Sequence, residues 1–196
     1  TGIKPPVFII GMPRSATTLC QNLLSSDIHN FTAIKLWEIL FAPSIIQKKL
    51  FLFIKRVDNS FNGFIYKRIY HLDSRLFRKM ENHHPISLFN MEEDNFLFLH
   101  TLTAPALSIL FPKWKNISIL RRFDDDIPER HKKFEMNFYK GCIQRHLYVF
   151  GVDKRFLSKS PPNNPKIRTL QTTFPGCQFI YMLRDPLYVT ASSICL

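Results

Sequence analysis

The fold is decided by the stretch "VFIIGMPRSATT", residues 7–18. Its first four residues form an apolar run that Gly11 ends, and such a run is typical of a strand buried on both faces of a parallel sheet. Residues 18–24 then place leucines at helical spacing, which favours a helix packed on that sheet. The sequence therefore predicts a strand, a tight loop and a helix in succession.

The loop in this unit carries groups that bind anions. Between a buried strand and a helix N-terminus, backbone N–H groups and the positive end of the helix dipole point to one place. Arg14 adds a charged fork, and Ser15, Thr17 and Thr18 add hydroxyl donors. A phosphate-like group is the expected ligand. The alternative is a plain strand-to-helix turn whose hydroxyls only cap the helix.

The composition is basic and predicts one domain with an anionic partner. The chain has 196 residues, 45% of them hydrophobic, and 27 Lys and Arg against 15 Asp and Glu give a net charge of +12. This charge favours a nucleotide, nucleic acid, an anionic membrane surface or an acidic glycan. The four cysteines form no C-x-x-C pair, which argues against zinc and against a disulfide framework.

The apolar runs give an expected location. No run approaches the ~20 residues of a membrane span, and the first residues resemble a core strand rather than a signal peptide. We therefore expect a cytoplasmic protein with free thiols, no metal and no integral membrane segment. A chain trimmed of a targeting segment would have the same pattern.

The last third of the chain alternates strands and helices. Residues 155–159 are predicted to be a short strand and residues 178–183 a buried one, with helices over residues 165–174 and from residue 187 onward. This alternation predicts a parallel, doubly wound α/β sheet that binds ligands at the carboxyl ends of its strands. Three candidate ligand loops then share one edge of the sheet: residues 11–18, 159–164 and 184–192.

A large helical insertion is expected between these two parts, and segment 61–80 within it is a basic amphipathic helix. Its apolar residues recur every three or four positions: Phe61, Phe64, Ile65, Ile69, Leu72 and Leu76. We favour a surface helix of the insertion over the alternative, a helix that docks on a membrane.

A nucleoside triphosphatase or kinase is the obvious rival for the first loop. When the P-loop pattern G-x-x-x-x-G-K-[ST] is aligned on Gly11, Ala16 stands at the second glycine and Thr17 at the lysine. Without that lysine, and without a clear strand ending in a metal-binding aspartate, triphosphate–magnesium chemistry lacks two of its parts. A P-loop kinase is therefore the weaker alternative.

The same residues resemble a known family. "FIIGMPRSATTL" is similar to the 5′-phosphosulfate loop of sulfotransferases that use 3′-phosphoadenosine 5′-phosphosulfate, which commonly contains P-R-S-G-T-T. "FLSKSPPNNPKIRTLQTTFPGCQFIYMLRDP" resembles the later block of that family, with its K-S-P turn and R-D-P strand end. "HHPI" and "MEEDNFLF" resemble the broad bacterial and tyrosylprotein-like branch.

This resemblance implies a P-loop-like fold and a metal-independent, in-line transfer of a sulfuryl group to a hydroxyl or amine, with adenosine 3′,5′-bisphosphate as product. It implies that the 5′-phosphosulfate is held by Gly11, Arg14, Ser15, Ala16, Thr17 and Thr18. Arg184 and Ser192 would hold the 3′-phosphate. Lys159, together with Arg14, would neutralise charge as the sulfuryl group leaves its bridging oxygen.

The acceptor needs a general base, and three residues are candidates. Glu38 in "LWEIL" is the first choice, because related enzymes often carry a glutamate base in the segment after the 5′ loop. His84 in "NHHPI" and Glu93 in "MEEDNF" are the alternatives. The acceptor class stays open among an anionic glycan, a peptide and a small molecule, and nucleic acid is not expected.

Two departures from the family pattern carry expectations of their own. A glycine at the position of Ala16 supplies either positive φ or space, so a right-handed Ala16 leaves the loop intact and a left-handed one counts against the donor site. The chain stops soon after Ser192, so we expect a single domain over residues 1–196 that is incomplete at its C-terminus, with an acceptor-side helical region at about 36–150. A catalytically inactive anion-binding domain is the second hypothesis.

Overall fold

A parallel four-stranded sheet organises the part of the chain that carries the three loops. Its strands are β1 (Val7–Gly11), β2 (Phe31–Thr32), β3 (Arg155–Lys159) and β4 (Gln178–Met182), in the order β2-β3-β1-β4. Every residue of β1 is buried because this strand lies between β3 and β4, as its apolar run predicts. Since parallel strands share their carboxyl edge, the loops after β1, β3 and β4 lie at the same edge of the sheet.

The computed structural model describes residues 2–41, 43–77, 86–107, 111 and 119–194. The chain divides into a first unit, Thr1–Ala33 with Glu93–Leu196, and a second unit, Ile34–Glu92. The α-helices are α1 (Thr17–Ser25), α2 (Leu36–Phe41), α3 (Ile45–Ser60), α4 (Phe64–Phe77), α5 (Phe123–Asp126), α6 (Glu129–Phe150), α7 (Ile167–Thr173) and α8 (Pro186–Ile194). Short 3-10 helices cover Asp94–Thr101, Ile119–Arg122 and Pro161–Lys166.

An aromatic core fills the first unit. The Phe174 ring lies 5.7 Å from that of Phe8 on β1 and 5.9 Å from that of Tyr139 on α6, and Tyr139 lies 5.5 Å from Phe98. All four side chains are buried. This core holds the sheet and the long helix α6 together, so the strand ends that carry the loops rest on a packed base.

The second unit is helical and follows the first strand-loop-helix unit, which confirms the predicted α/β fold with a helical insertion. Helices α3 and α4 form a hairpin that the buried Asp58 closes, because its carboxylate accepts hydrogen bonds from the N–H groups of Ile65 and Tyr66 at 2.8 Å each. Among the described residues, no helix is long and apolar enough to cross a membrane.

Three local predictions differ from the structure. The helix predicted from Phe61 begins at Phe64, because Asn62 and Gly63 have φ of 58° and 67° and form a left-handed turn; residues 78–80 lie outside the described part of the chain. The strand predicted as buried at 178–183 is β4, whose side chains are exposed or half-buried because it lies at the edge of the sheet. The leucine pattern at 18–24 does give a helix, α1, but Leu19 and Leu23, which were predicted to pack on the sheet, are exposed.

Candidate functional site

Gly11 ends β1 at a point where no other residue fits. Its φ is 136°, and a Cβ added to it would lie 2.5 Å from the carbonyl oxygen of Met182 on the neighbouring strand. The glycine therefore allows β1 and β4 to stay paired up to the point where the loop begins. Any side chain at this position would push the two strand ends apart.

The loop after β3 is joined to the end of β1 by one side chain. The Asn164 amide accepts a hydrogen bond from the Gly11 N–H at 3.0 Å and donates one to the Gly11 carbonyl at 2.9 Å. Two of the three loops are thereby fixed to each other. Asn164 was not among the predicted site residues, and its only signal in the sequence is its place in the loop that follows the K-S-P turn.

The backbone of the first loop is strained. Arg14 has φ of 67°, and Ala16, at the N-cap of α1, has φ of 62° and ψ of 25°. Both residues are left-handed, a conformation that costs a residue with a Cβ atom about 1–2 kcal/mol. Of the two conformations considered for Ala16, the structure has the left-handed one, which counts against the donor site. A glycine at this position would adopt it without strain.

Ser15 offers a buried hydroxyl to this loop. Its side chain is 2% exposed, and its Oγ atom has no hydrogen-bond partner among the described residues. A buried polar atom without a partner is costly, so such atoms usually mark a place where a ligand or water binds. The orphaned hydroxyl beside the helix N-terminus fits an anion with oxygen acceptors, as a phosphosulfate has.

Arg14, Arg184 and Ser192 are brought together although they lie far apart in the sequence. The Arg14 Nε donates to the Ser192 Oγ at 2.9 Å, and the Arg184 Nη1 donates to the Arg14 carbonyl at 2.8 Å. The Arg184 guanidinium also lies 5.9 Å from the centre of the Tyr188 ring. Two guanidinium groups, with a hydroxyl and an aromatic ring, are thus gathered at the ends of β1 and β4.

Lys159 is buried at the carboxyl end of β3. Its Nζ lies 3.3 Å from Glu93 Oε1, and the two side chains are 2% and 23% exposed. A lysine at a strand end is commonly exposed, so its burial beside one carboxylate is a specific arrangement. The structure thus joins one predicted catalytic residue to one of the candidate bases.

A hydrogen-bonded group behind Lys159 fixes this arrangement. The Asp94 carboxylate accepts hydrogen bonds from the Ser158 hydroxyl at 2.9 Å and from the Tyr139 hydroxyl. Burial raises the pKa of Asp94 to about 6, although the hydrogen bonds from Tyr139 and Ser158 oppose that rise. Because Asp94 ties the start of its 3-10 helix to β3, it holds Glu93 beside Lys159.

Lys166 is a second buried lysine that the sequence did not indicate. Its Nζ lies 4.0 Å from the centre of the Phe98 ring, 4.6 Å from that of Phe123 and 3.6 Å from Glu135 Oε2. Burial lowers the pKa of Lys166 to about 8, against the opposing effect of the Glu135 charge. Its position between two rings indicates a structural role, because it anchors the end of the 3-10 helix Pro161–Lys166 in the core.

Glu38, the first-choice base, belongs to the second unit. Its Oε2 accepts a hydrogen bond from Lys48 Nζ at 2.5 Å, and its Oε1 accepts one from the Lys35 N–H at 3.1 Å. The Glu38 side chain is 2% exposed. His84 lies outside the described residues.

Asp124, the first residue of the acidic triplet at residues 124–126, caps a helix. The Asp124 carboxylate accepts hydrogen bonds from the backbone N–H groups of Arg168 and Thr169, at 2.8 and 3.1 Å, at the start of α7. Among the described residues, no group of His, Cys, Asp and Glu side chains could hold a metal ion.

The first unit is thus a P-loop-like α/β domain. A model of the Sulfotransferase family matches residues 5–196. This match spans nearly the whole chain, so the protein belongs to the sulfotransferase family.

Relatives of known type agree with this assignment. The chain is 26% identical over 194 residues to the proteins named omega-hydroxy-beta-dihydromenaquinone-9 sulfotransferase Stf3 of Mycobacterium bovis and Mycobacterium tuberculosis. Each match covers 97% of this chain and 44% of the relative. The chain therefore spans less than half the length of these curated relatives.

Two solved structures are similar in fold. Sulfotransferase STF9 from Mycobacterium avium superposes with a TM-score of 0.70 at 20% identity, covering 100% of this chain and 46% of that one. Sulfotransferase STF1 from Mycobacterium tuberculosis H37Rv gives a TM-score of 0.56 at 17% identity, covering 93% and 46%. At these identities the likeness establishes the fold alone, a P-loop-like sheet flanked by helices.

Proposed function

We propose that this chain transfers a sulfuryl group from 3′-phosphoadenosine 5′-phosphosulfate to a hydroxyl acceptor. The observation that carries the proposal is the meeting of Arg14, Ser192 and Arg184 at one edge of the sheet, through hydrogen bonds of 2.9 and 2.8 Å. A donor with phosphate groups on both the 5′ and the 3′ carbon of its ribose needs two cationic groups near each other, and Arg14 and Arg184 at this edge would supply them.

The residues of the first loop would hold the 5′-phosphosulfate. Helix α1 points its N-terminus at the loop, Ser15 contributes the orphaned hydroxyl, and Arg14 contributes charge. Gly11 and Ala16 would shape the backbone, and Thr17 and Thr18 would add hydroxyl donors. Arg184 and Ser192 would then receive the 3′-phosphate.

Lys159 would stabilise the charge that develops as the sulfuryl group leaves. A buried ammonium in a site of low dielectric stabilises an oxyanion more strongly than an exposed one does. Glu93 holds this ammonium through the 3.3 Å contact, and Asp94 holds the segment that carries Glu93. With cationic side chains in this position, the transfer needs no divalent metal.

Glu38 would remove the proton from the acceptor hydroxyl, with Glu93 and His84 as the alternatives. A base must be ionised and must reach the acceptor proton. The ammonium of Lys48 offsets the negative charge of the buried Glu38 carboxylate. Under this proposal, the Glu38 carboxylate exchanges its contact with Lys48 for the acceptor hydroxyl.

The hydroxyl is preferred to an amine as the acceptor group because the Stf3 relatives are named for omega-hydroxy-beta-dihydromenaquinone-9. A cytoplasmic location is part of the same proposal. It is supported by the free thiols of Cys20, Cys142 and Cys177, which suit a reducing compartment.

A second candidate function, an anion-binding domain without turnover, is favoured by one observation. The left-handed Ala16 strains the loop that would hold the reacting group. The presence of Lys159, Arg184 and Ser192 favours the enzyme, because a binding domain would not need a buried lysine at the reacting centre.

The test is transfer of radiolabelled sulfur by the full-length protein, in a chelator, to an omega-hydroxylated menaquinone, a primary alcohol and an amino sugar. Labelled product with an alcohol acceptor, lost in Arg14→Ala and Arg184→Ala and retained in the exposed control Arg121→Ala, supports the enzyme. Donor binding without transfer to any of the three acceptors would favour the binding domain. Transfer that requires magnesium would contradict the metal-independent mechanism.

A further inference from the structure

Helices α3 and α4 of the second unit carry apolar stripes that face solvent. The stripe residues recur at intervals of four, three, one and three on α3 and of four, three and four on α4, so each set follows one face of its helix. The exposed stripe residues are Ile46, Leu50, Phe53, Ile54 and Val57 on α3, and Ile65, Ile69, Leu72 and Leu76 on α4. Phe61 and Phe64, at the turn between the helices, are exposed as well. A stripe of this kind is normally buried, so its exposure on both helices needs an explanation.

The exposed charges of the same hairpin have one sign. Its exposed basic residues are Lys49, Lys55, Arg56, Lys67, Arg68 and Arg75. The acidic residues of segment 45–77 are Asp58 and Asp73, and both are buried. Asp58 closes the hairpin turn, and Asp73 accepts a hydrogen bond from the Leu88 N–H at 2.9 Å. The solvent-facing surface of the hairpin is therefore apolar and cationic, with no exposed carboxylate between residues 45 and 77.

The hairpin has internal contacts that hold its shape. Ser44 and Gln47 form a capping box at the start of α3. On α4, the ring of Tyr66 lies 5.0 Å from that of Phe89, so the turn that contains Phe89 packs against this helix. The apolar stripes are thus presented on a pair of helices that is already folded.

The exposed stripes reverse the preference drawn from the sequence alone, which was for a plain surface helix. We propose that the α3–α4 hairpin docks on an anionic lipid surface, with the apolar stripes among the lipid headgroups and the basic side chains against the lipid charge. Helices that lie in a membrane interface combine large apolar residues on one face with Lys and Arg on the other. Each Lys or Arg near an anionic leaflet adds its own electrostatic attraction to the binding. A protein partner fits less well because three of the six exposed cations are lysines, which protein interfaces avoid, and because no exposed carboxylate accompanies them within residues 45–77. An acidic glycan would use the cations but not the stripes.

This proposal stands apart from the proposed donor binding, because the hairpin lies in the second unit and the proposed donor-binding residues lie in the first. Binding to lipid is expected without any nucleotide. Conversely, calorimetric binding of adenosine 3′,5′-bisphosphate should be the same in the hairpin variants as in the wild type, which separates failure of one proposal from failure of the other.

The test is flotation of the full-length protein with vesicles of phosphatidylcholine alone or with one quarter phosphatidylglycerol. We expect partition into the anionic vesicles that weakens with salt. The variant Arg56→Gln/Arg68→Gln/Arg75→Gln should partition about 100-fold more weakly. Its matched control removes the same charge from the first unit and should stay within about twofold of the wild type: Arg121→Gln/Arg130→Gln/Lys133→Gln.

A second pair of variants tests the apolar stripes. Leu50→Ser/Phe53→Ser keeps every charge and should weaken partition by at least about 10-fold, because the apolar face supplies the burial. The control Phe134→Ser/Val152→Ser changes two exposed apolar residues of the first unit and should have no effect. Since all four positions are exposed, circular dichroism should show the wild-type fold in both variants.

Several results would overturn the proposal. Wild-type protein that stays unbound with anionic vesicles, or an equal loss of binding in either control, would do so. Wild-type partition of Leu50→Ser/Phe53→Ser would leave the stripes without a role in lipid binding. If the wild type is a dimer that does not bind vesicles, and Leu50→Ser/Phe53→Ser is a monomer, the stripes bind a second copy of the chain instead. Retention on heparin that depends on the cations, again without vesicle binding, would assign the basic residues to a glycan.

Discussion

Two ion pairs with a buried lysine, Lys48–Glu38 in the second unit and Lys159–Glu93 in the first, differ in how exposed their carboxylates are. In the second unit, Lys48 Nζ lies 2.5 Å from Glu38 Oε2, and the side chains are 3% and 2% exposed. In the first unit, Lys159 Nζ lies 3.3 Å from Glu93 Oε1, and Glu93 is 23% exposed. The Lys48–Glu38 pair is therefore short and closed to solvent. The Lys159–Glu93 pair is longer, and its carboxylate is open to solvent.

This difference suggests a different use for each pair. A sealed pair contributes little net stability, but the loss of one partner leaves a charge buried alone. An open pair leaves its lysine able to exchange a carboxylate for a ligand oxygen. We therefore expect Lys159 to act on the donor, and we expect Lys48 to support Glu38.

The largest expected effect separates the two glutamates. Glu38→Gln should lower the rate of sulfuryl transfer by about 100-fold to 10,000-fold, because glutamine cannot accept the acceptor proton. Glu93→Gln should lower it by less than about 10-fold, since glutamine keeps an oxygen toward Lys159. Single-turnover transfer with saturating donor measures both rates.

Two controls make this comparison decisive. Binding of adenosine 3′,5′-bisphosphate should be unchanged in both variants, which excludes a collapsed site. The reverse order of the two rate losses would make Glu93 the base, and wild-type transfer in both variants would leave His84 as the remaining candidate.

The two lysines should differ in the property they change. Lys159→Met should lower kcat by about 100-fold to 1,000-fold, because the charge on the leaving oxygen loses its stabilising cation. Lys48→Met should instead lower the free energy of unfolding by about 3–5 kcal/mol, because it removes the ammonium that offsets the buried charge of the Glu38 carboxylate. Urea unfolding and steady-state kinetics measure the two quantities, with the exposed Lys133→Met as the control. An unfolding free energy unchanged in Lys48→Met would show that the sealed pair has no structural role.

The buried Asp94 gives the first unit a distinct pH dependence. Because its pKa is about 6 in the folded protein and 3.8 ordinarily, the folded state binds the proton more tightly. The Asp94 contribution should therefore lower the free energy of unfolding by about 3 kcal/mol as pH rises from about 4 to about 6, and leave it constant above that range. Asp94→Asn should remove this pH dependence. The measurement is the difference between the unfolding free energies of the wild type and the variant at each pH. A difference that does not vary over this pH range would contradict the assigned environment.

The smallest expected effect concerns the first loop. Ala16→Gly should relieve about 1 kcal/mol of backbone strain, because glycine adopts positive φ without a Cβ clash. If the strain is equal in the free and the occupied loop, donor binding stays unchanged and only stability rises. If the strain opposes the occupied form, adenosine 3′,5′-bisphosphate should bind about 5-fold tighter. A variant less stable than the wild type would show that the left-handed conformation is not strained.

The strands and the loop chemistry could be predicted because their signals are local. β3 has the predicted bounds, and β1 extends one residue beyond its apolar run to Gly11. Both strands are short runs bounded by residues that end strands. The leucines of α1 were misleading: Leu19 and Leu23 are exposed, whereas Thr17 and Gln21 are buried. Helical spacing gives the period of a face but does not say which face meets the sheet.

The contacts that complete the site could not be predicted, because they join distant parts of the chain. Asn164 meets Gly11 across 153 positions, and Lys159 meets Glu93 across 66. The burial of Lys166 between two aromatic rings is of the same kind. A sequence motif indicates which residue types are present at a site, whereas these partnerships depend on the packing of the whole unit.

The central claim is that the ends of β1, β3 and β4 form a nucleotide site that works without a metal. Calorimetric titration of the full-length protein with adenosine 3′,5′-bisphosphate, in a chelator, tests it most directly. We predict binding by the wild type that is at least about 10-fold weaker in Arg14→Ala and in Arg184→Ala, and unchanged in Arg121→Ala. Absence of binding by the wild type, or equal binding by all four proteins, would contradict the claim.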